Sequence, residues 1–359
     1  MRVGVVGAGH VSAQYRETLA GRADLDVVMV ADRHAERAGQ LAGAFPGAQV
    51  CDTDDLLADP AVDVVLNLTT PAFHAAITRA ALAAGHHVYS EKPVAVDRSG
   101  LESLAVTAGS GPFLACAPDT VLGTGLQTAR RVVDSGRIGT PFAAHAVMVT
   151  PGHERWHPDP EFHYRAGGGP LFDMGPYYLT ALVHLLGPVA TVTGRSSRPR
   201  PVRTIDRGPR AGCDFPTEID THEVAVLEHA GGALSTVVMS FDATATTADP
   251  IEIHGTAGSM TVPDPNHFEG AVSVRERGRR TFEPVPVSAG YVGGGRGLGL
   301  VDLASRLADG APPRASGAVA LHVLETMLAA RDSARRGGAP VRVLSMPPVP
   351  DPVPLRDQW

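Results

Sequence analysis

Short apolar runs alternate with segments of helical periodicity over the first third of the chain. Runs rich in valine, leucine and alanine predict buried strands at residues 2–6, 25–31, 49–51, 62–67, 87–89 and 113–117. The intervening segments predict helices at 13–20, 35–44, 73–84 and 101–108, with a capped turn at 53–57. Strands alternating with helices are typical of α/β proteins, and we predict a doubly wound parallel sheet of the Rossmann type.

The pattern changes after residue 117. A helix is predicted at 126–135, and later runs alternate apolar with polar residues, as strands do, at 141–149, 223–228, 234–240, 251–254 and 273–275. Residues 317–335 carry the apolar spacing of a long amphipathic helix. We therefore expect a Rossmann domain over 1–117, an α+β domain with a large, mainly antiparallel sheet over 118–345, and a proline-rich tail over 346–359 that acts as a packing or subunit arm.

A glycine-rich turn joins the first predicted strand to the first predicted helix. It follows the pattern G-x-G-x-x-S and runs Gly7-Ala8-Gly9-His10-Val11-Ser12. Gly7 permits a tight turn, Gly9 lets the backbone approach a pyrophosphate, and the helix N-terminus supplies N–H groups and the positive end of its dipole. The turn therefore predicts a dinucleotide site that includes Gly7, Gly9, His10 and Val11.

Asp32 ends the second predicted strand, where a carboxylate accepts hydrogen bonds from the adenosine ribose. Its charge favours NAD, because the 2′-phosphate of NADP would face a like charge. The adjacent Arg33 can hold that phosphate, so NADP remains possible. Asp32 can also be a structural cap for the helix that follows.

Two further segments follow predicted parallel strands, where ligands of such sheets bind. One contains Thr69, Thr70 and Pro71, and the other contains Lys92. Lysine and arginine together number 31, and Lys92 is the only lysine. Arginine cannot give up its proton in proteins, whereas the pKa of a lysine falls readily on desolvation, so proton-transfer chemistry can use Lys92. Compositional drift that left one lysine by chance is the alternative.

The run 167–187 opens with glycines and continues with an apolar helical period. Asp173 and Tyr177 are four residues apart and share a face if the helix is continuous, although Pro176 can kink it or mark its first turn. The pair is a candidate for catalysis. Alternatively, Asp173 caps the helix and Tyr177 packs its ring with the hydroxyl outward.

The segment 153–164 is dense in hydrogen-bonding and aromatic side chains, which suit carbohydrate hydroxyls and the flat faces of sugar rings. We predict substrate contacts there, and one on the turn between the domains: Trp156, His157, His163, Tyr164 and Asp119. The three histidines lie in a proline-interrupted loop without the usual helical pair of ligands, so no metal site is predicted. The basic, proline-rich segment 195–210 is expected to be a solvated connection rather than an anion site.

Composition argues against several other classes of protein. A net charge of −7 and a pI near 6.1 disfavour a nucleic-acid or anionic-membrane partner. Three scattered cysteines suit a reducing compartment better than a disulfide framework. Without a signal pattern or an apolar run of about 18 residues, we expect a cytoplasmic protein.

Several motifs together resemble the Gfo/Idh/MocA oxidoreductases, a family named for glucose–fructose oxidoreductase and inositol dehydrogenase. They are the Gly7 loop, Thr70-Pro71-Ala72-Phe73-His74, Glu91-Lys92-Pro93, the glycine-rich run ending Asp173-Met174-Gly175, Gly255-Thr256-Ala257-Gly258-Ser259 and the end of the C-terminal helix. The resemblance implies a C-terminal domain with an open-faced sheet, often used to form dimers or tetramers. It also implies that Lys92 lies beside the nicotinamide, that the Lys92–Pro93 peptide is cis, and that His74 and Glu91 belong to the cofactor site.

The chain departs from the inositol dehydrogenase pattern at two positions, Tyr177 and Thr180, where those members carry histidine and aspartate. Tyrosine resembles the branch with glucose–fructose oxidoreductase, sugar 3-ketoreductases and dihydrodiol dehydrogenases. That branch implies that Lys92 and Tyr177 share the acid–base work, leaving Asp173 to hold a substrate hydroxyl. We therefore expect an NAD(P)-dependent oxidoreductase of sugars, cyclitols or polyols. An NAD-dependent glycosidase and a non-catalytic dinucleotide sensor are the alternatives.

Overall fold

The structure, a computed structural model, describes residues 1–107, 111–357 and 359. Its N-terminal part is a six-stranded parallel sheet in the order β3-β2-β1-β4-β5-β6. The strands are β1 Arg2–Val6, β2 Asp26–Ala31, β3 Gln49–Val50, β4 Val64–Asn67, β5 His87–Ser90 and β6 Leu114–Cys116. The helices between them are α1 Ser12–Leu19, α2 Ala35–Ala42, α3 Thr53–Ala58, α4 Pro71–Ala83 and α5 Arg98–Thr107. The predicted doubly wound sheet is confirmed; Ala108, the predicted end of α5, lies outside the described residues.

The C-terminal part is built on a nine-stranded sheet in the order β16-β15-β14-β13-β7-β12-β11-β8-β17. Its strands are β7 Pro141–Val149, β8 Val189–Ser197, β11 His222–His229, β12 Leu234–Ser240, β13 Ile251–Gly255, β14 Gly258–Val262, β15 Val272–Glu276, β16 Glu283–Val285 and β17 Val341–Arg342. A separate hairpin pairs β9 Val202–Thr204 with β10 Asp214–Pro216. Within the nine-stranded sheet, β7 and β12 are parallel and all other neighbouring strands are antiparallel. The predicted large, mainly antiparallel sheet is therefore confirmed.

Among the described residues, five α-helices accompany this sheet: α6 Thr124–Asp134, α7 Pro170–Asp173, α8 Gly175–Leu186, α9 Leu298–Ala308 and α10 Gly317–Arg335. Helix α10 packs on β8 and α8, and it also contacts α5 and β6 of the parallel-sheet part. Its approach to β8 is close, because a Cβ at Gly194 would lie 2.4 Å from the Ala330 carbonyl oxygen. Leu324 and Met327 are buried in this contact layer, so α10 joins the two sheets into one core.

The segment 195–210 differs from the solvated connection expected from its composition. It contains β9, and the Arg203 side chain is fully buried. The guanidinium of Arg203 pairs with Glu154 at 2.8 Å and with Asp242 at 2.6 Å. The expectation is therefore wrong at Arg203, because two buried carboxylates distant in sequence compensate its charge.

The proline-rich tail packs on its own chain. Isolated bridges join Pro354 to Ala289 and Arg356 to Tyr291, and the Val353 N–H donates to Gln127 Oε1 at 2.8 Å. These contacts correspond to the packing role expected for the tail. Among the described residues, every helix is too short or too polar to cross a membrane.

Candidate active site

The turn after β1 meets the loop after β4 at the carboxyl edge of the parallel sheet. Gly7 has a φ of +102°, and a Cβ there would lie 2.6 Å from the Leu68 carbonyl carbon and oxygen. Glycine is therefore required at position 7 both by its backbone angle and by this close approach. Nothing lies within 4 Å of a Cβ built at Gly9, so the second glycine faces open space.

That space is the glycine-loop cavity, about 240 Å³ in volume. Its lining includes six of the twelve residues predicted for the dinucleotide, together with one arginine that sequence reasoning missed: Gly7, Gly9, Asp32, Arg33, Arg37, Thr69 and Thr70. Arg37 lies on α2, four residues after Arg33, which precedes that helix, and a second arginine close to Arg33 was the signal available in the sequence. A cavity with these residues beside a helix N-terminus fits a dinucleotide.

Asp32 has the structural role considered from the sequence, and its binding of the ribose stays a prediction. One carboxylate oxygen accepts from the Ala8 N–H at 2.7 Å, and the other accepts from the His34 N–H at 2.8 Å, just before α2. It thus ties the glycine turn to the start of α2 while lining the glycine-loop cavity. Each carboxylate oxygen has a further lone pair with which it can accept from a ribose hydroxyl.

His74 and Glu91 are buried and hold the loops that carry neighbouring site residues. The two ring nitrogens of His74 contact the Pro93 and Thr69 carbonyl oxygens at 2.7 and 2.8 Å. Glu91 accepts from the Tyr15 hydroxyl and from the Lys92 N–H, each at 2.8 Å. These contacts stabilise the loops within the protein itself, and direct binding of the cofactor by His74 or Glu91 stays a prediction.

Lys92 follows β5, and its peptide bond to Pro93 is cis, as expected. The side chain is 16% exposed, and Nζ donates to the Asp173 carbonyl oxygen at 2.8 Å and to Asp173 Oδ1 at 3.0 Å. Burial by itself would lower the pKa of Lys92, but the nearby Tyr177, Asp173 and Glu91 outweigh burial and raise that pKa. Lys92 therefore remains an ammonium ion at neutral pH.

Asp173 and Tyr177 reach Lys92 from two helices rather than from one continuous helix. Helix α7 ends at Asp173, and α8 begins at Gly175 with Pro176 in its first turn. Proline at such a position loses no helical hydrogen bond, which explains why Pro176 starts a helix here. Tyr177 is buried, and the centroid of its ring lies 5.1 Å from Lys92 Nζ.

His153 completes a hydrogen-bonded chain with Asp173 and Lys92. Its Nε2 donates to Asp173 Oδ2 at 2.8 Å, and its ring centroid lies 4.1 Å from that of His163. Burial tends to raise the pKa of Asp173, but Lys92 and His153 outweigh burial and hold that pKa well below its usual range. Burial and the neighbouring His153 lower the pKa of His163 to about 3, so His163 is neutral at pH 7.

His153, His163 and Asp173 could also hold a metal ion, since one ligand atom from each lies within 4.8 Å of the others. The surrounding contacts favour the hydrogen-bonded arrangement. Both oxygens of Asp173 are already engaged, one by an ammonium ion, and His153 Nδ1 is buried with no hydrogen-bond partner among the described residues. Metal-bound histidines usually donate their second ring N–H to an acceptor, which His153 lacks here.

The predicted substrate contacts fall into two groups. His163 lines the Lys92 cavity, a space of about 410 Å³ whose walls also include Thr70, Lys92, Phe162 and Asp173. Trp156 is 59% exposed and packs edge-on against His153 and His157. Both of these histidine rings contact the ring of His163, so Trp156 and His157 lie next to the part of the cavity wall that His163 forms.

Tyr164 and Asp119 are instead buried behind the cavity walls, which corrects their predicted role as substrate contacts. The Tyr164 hydroxyl donates to Glu154 and accepts from the His153 N–H at 2.9 Å. Asp119 is fully buried and accepts from the Gly297 N–H at 2.8 Å. Polar side chains in the interior must find such partners, and a sequence does not show which ones are interior.

Arg296 is a site residue that sequence reasoning missed. Its guanidinium carbon lies 5.1 Å from the centroid of the Tyr177 ring, and its side chain is 16% exposed. The signal in the sequence was weak: a single arginine within the glycine-rich run 293–297. More than 100 residues separate it from Tyr177, so only the fold brings the two together.

The chain matches two family models of known proteins. Residues 1–111 match the oxidoreductase family, NAD-binding Rossmann fold, and residues 126–261 match the GFO/IDH/MocA C-terminal domain. The predicted dinucleotide-binding domain is therefore confirmed as an NAD-binding Rossmann domain. The fold also resembles levoglucosan dehydrogenase in complex with NADH and levoglucosan, with a TM-score of 0.80, 21% identity, and 96% of this chain and 100% of that chain covered.

Several similar curated proteins are sugar reductases or sugar dehydrogenases. A dTDP-3,4-didehydro-2,6-dideoxy-alpha-D-glucose 3-reductase of Streptomyces violaceoruber is 33% identical over 64% of this chain and 68% of its own length. The D-glucoside 3-dehydrogenase of Escherichia coli strain K12 is 31% identical over 52% of this chain and 54% of its own length. The chain thus spans about half to two thirds of the length of the curated relatives it matches. From these matches and its fold, the chain belongs to the Gfo/Idh/MocA oxidoreductase family.

Proposed function

We propose that this protein is an NAD(P)-dependent oxidoreductase that interconverts a secondary alcohol and a ketone on a sugar, cyclitol or similar polyol. The observation that carries the proposal is the convergence of three side chains: Lys92 and Asp173 pair in the wall of the Lys92 cavity, and the Tyr177 ring centroid lies 5.1 Å from Lys92 Nζ. Thr70 lines both this Lys92 cavity and the glycine-loop cavity, so the two spaces adjoin. A dinucleotide that extends from one to the other brings its reactive end to Lys92.

The bound cofactor supplies or accepts the hydride, and the protein binds it, orients the substrate and moves one proton. The glycine turn and Asp32 hold the adenosine and pyrophosphate end. In the direction of reduction, the O–H bond of Tyr177 breaks as its proton bonds to the carbonyl oxygen of the substrate. The Lys92 ammonium stabilises negative charge on that oxygen, and oxidation of the alcohol follows the same path in reverse.

The charge states of the two residues support this division of roles. Burial raises the pKa of Tyr177, although Lys92 and Arg296 oppose that rise, so the phenol carries its proton at neutral pH. Because the surroundings raise the pKa of Lys92, it is better suited to act as a fixed positive charge than as the proton carrier. Asp173 orients Lys92 through its carbonyl and one carboxylate oxygen.

The first test is a matrix of NAD and NADP against polyols, aldoses, inositols and keto-sugars, followed by absorbance at 340 nm. Turnover of a substrate from this panel supports the proposal. A tightly held cofactor with no net NADH formation while a glycoside is cleaved would instead indicate a glycosidase. Binding of NAD(H) without turnover of any compound would indicate a dinucleotide sensor.

Lys92→Met tests the catalytic role within that matrix. We expect kcat to fall by about 10²-fold or more, because the variant loses the charge that stabilises the developing alkoxide. Affinity for the cofactor should stay near that of the wild type, since the glycine-loop cavity is unchanged. Arg279→Met, which removes another cation at an exposed position between β15 and β16, is the control, and activity of Lys92→Met within tenfold of wild type would contradict the assigned role.

We also propose that the protein forms a homodimer or homotetramer through the C-terminal sheet. Along β11 and β12, buried residues alternate with exposed apolar ones, among them Val226 at 44% and Leu234 at 52% exposure. Exposed apolar side chains clustered on one sheet face support an interface between copies. The proposal includes no nucleic-acid or membrane partner. The cytoplasmic location of the protein remains a prediction, which its three free cysteines support.

A further inference from the structure

Tyr177 lies close to two cations that come from different parts of the chain. Lys92 Nζ and the guanidinium carbon of Arg296 are each 5.1 Å from the centroid of its ring. Lys92 follows β5 in the parallel-sheet part, whereas Arg296 lies in the loop just before α9. The mechanism proposed above uses Lys92 and leaves the second cation without a role.

The position of Arg296 is set by contacts on two sides. Its Nη2 donates to Asn266 Oδ1 at 2.8 Å, and its guanidinium also lies 5.7 Å from the Phe268 ring centroid. Its Nη1 lies 3.6 Å from Asp119 Oδ1, a carboxylate oxygen in the protein interior. Both of these atoms are buried without a hydrogen-bond partner among the described residues, so their interaction is mainly one of charge with charge.

Asp119 is in turn anchored by the start of α9. Its other oxygen accepts from the Gly297 N–H at 2.8 Å and from the Gly299 N–H at 3.3 Å. A carboxylate at a helix N-terminus is stabilised by the unpaired N–H groups there. The chain of contacts therefore runs from α9 through Asp119 to Arg296 and then to the Tyr177 ring.

We propose that Arg296 is a positioning residue that, together with Lys92, stabilises the phenolate form of Tyr177 during proton transfer, with Asp119 as its buried counter-ion. The inference rests on the proposed function, because it assigns Arg296 a role through the proton carrier Tyr177. When Tyr177 gives its proton to the substrate oxygen, its O–H bond breaks and the negative charge stays on the phenolate. Two nearby cations lower the cost of that charge in a site with little water.

Other charged groups also face Tyr177, and they set the direction of the expected change. Burial raises the pKa of Tyr177, Lys92 and Arg296 lower it, and Glu91 and Asp173 raise it. Loss of Arg296 removes one of the two favourable charges and leaves both unfavourable ones. The pKa of Tyr177 should therefore rise, and the pH at which alcohol oxidation accelerates should move upward with it.

The test is the titration of Tyr177 itself in the full-length protein labelled with ¹³Cζ-tyrosine. The chain has six tyrosines, and the resonance that disappears in Tyr177→Phe identifies the relevant one. In Arg296→Met we expect this resonance to titrate about one pH unit higher than in wild type, or more. Arg296→Lys keeps a positive charge and should recover part of the shift, whereas Arg275→Met removes an arginine stacked on surface Phe282 and should cause none.

An unchanged titration of Tyr177 in Arg296→Met, with wild-type near-UV circular dichroism, would overturn the proposal. If Arg296→Met does not fold, Arg296→Gln carries the same test, because its amide can still contact Asn266. The titration needs no substrate, so its outcome is independent of the activity panel. Failure of every sugar to react would reject the proposed function, whereas an unshifted phenol would reject only the role of Arg296.

Discussion

Among individual residues, Lys92 and Asp173 form the ion pair around which the site is arranged. Lys92 is the only lysine of the chain, and the sequence predicts proton transfer there because a desolvated lysine can lose its proton. In the folded protein, burial is outweighed by Tyr177, Asp173 and Glu91, and the pKa of Lys92 rises. The residue expected from the sequence thus lines the Lys92 cavity, and we propose that it acts through its charge rather than by giving up its proton.

We propose that single residues also decide the choice between NAD and NADP. Asp32 and the pair Arg33 and Arg37 line one cavity with opposite charges. Asp32→Asn removes the negative charge but keeps an oxygen acceptor, so we expect the ratio of NADPH to NADH affinity to rise by about tenfold, a change of roughly 1.4 kcal/mol. Fluorescence titration with each reduced cofactor measures that ratio.

The matched variant is Arg37→Ser, which should lower the same ratio by removing a cation that can pair with a 2′-phosphate. Melting temperatures of both variants are needed as a control, because Asp32 also accepts from the Ala8 and His34 N–H groups. Equal affinity ratios in wild type and both variants would show that these charges do not face the 2′ position.

For the helices and loops, the decisive feature is where elements end. The sequence allows one helix through Asp173 and Tyr177, but the chain breaks between α7 and α8, and both side chains still reach Lys92. The four-residue spacing predicts a shared face only on one continuous helix, whereas here Asp173 and Tyr177 lie on two separate helices. The break depends on Pro176 in the first turn of α8 and on the packing of both helices against the rest of the domain.

The glycine turn provides a prediction for this level. In Gly7→Ala, the new Cβ would lie 2.6 Å from the Leu68 carbonyl at a φ that disfavours side chains, so the loops after β1 and β4 must separate. We expect a loss of stability on the order of 1–3 kcal/mol and much weaker dinucleotide binding. Chemical denaturation and cofactor titration measure the two effects.

Gly9→Ala is the matched control, because nothing lies within 4 Å of its added Cβ. This variant should keep wild-type stability and lose only affinity for the dinucleotide, since the methyl group enters the space the ligand approaches. Equal stability of Gly7→Ala and Gly9→Ala would contradict the assigned difference between the two glycines.

For the molecule as a whole, the site is made by two sheets that α10 holds together. Lys92 belongs to the parallel-sheet part, whereas Asp173, Tyr177 and Arg296 belong to the part built on the nine-stranded sheet. The buried contacts of α10 with both parts fix the distance between these residues. Destabilising that layer should therefore affect catalysis even when no residue of the Lys92 cavity changes.

The proposed oligomer gives a prediction for the whole molecule. Val226→Glu combined with Leu234→Glu places charges on the exposed face of β11 and β12, and we expect the protein to dissociate into monomers. Multi-angle light scattering after size exclusion measures the mass directly. Val106→Glu, at an 83% exposed position on α5, should leave the mass unchanged, and a monomeric wild type would refute the proposed interface.

Local patterns in the sequence by themselves determined the parallel sheet, the mainly antiparallel second sheet, the glycine turn and the position of Lys92 just after a parallel strand. Each depends on residues close together in the chain, where periodicity and turn chemistry act directly. Only the tertiary structure decided that Tyr164 and Asp119 are interior supports, that Arg203 is a buried ion-pair partner, and that Arg296 stands beside Tyr177. Their partners lie far away in sequence, and burial and charge pairing between distant segments arise only when the whole chain packs.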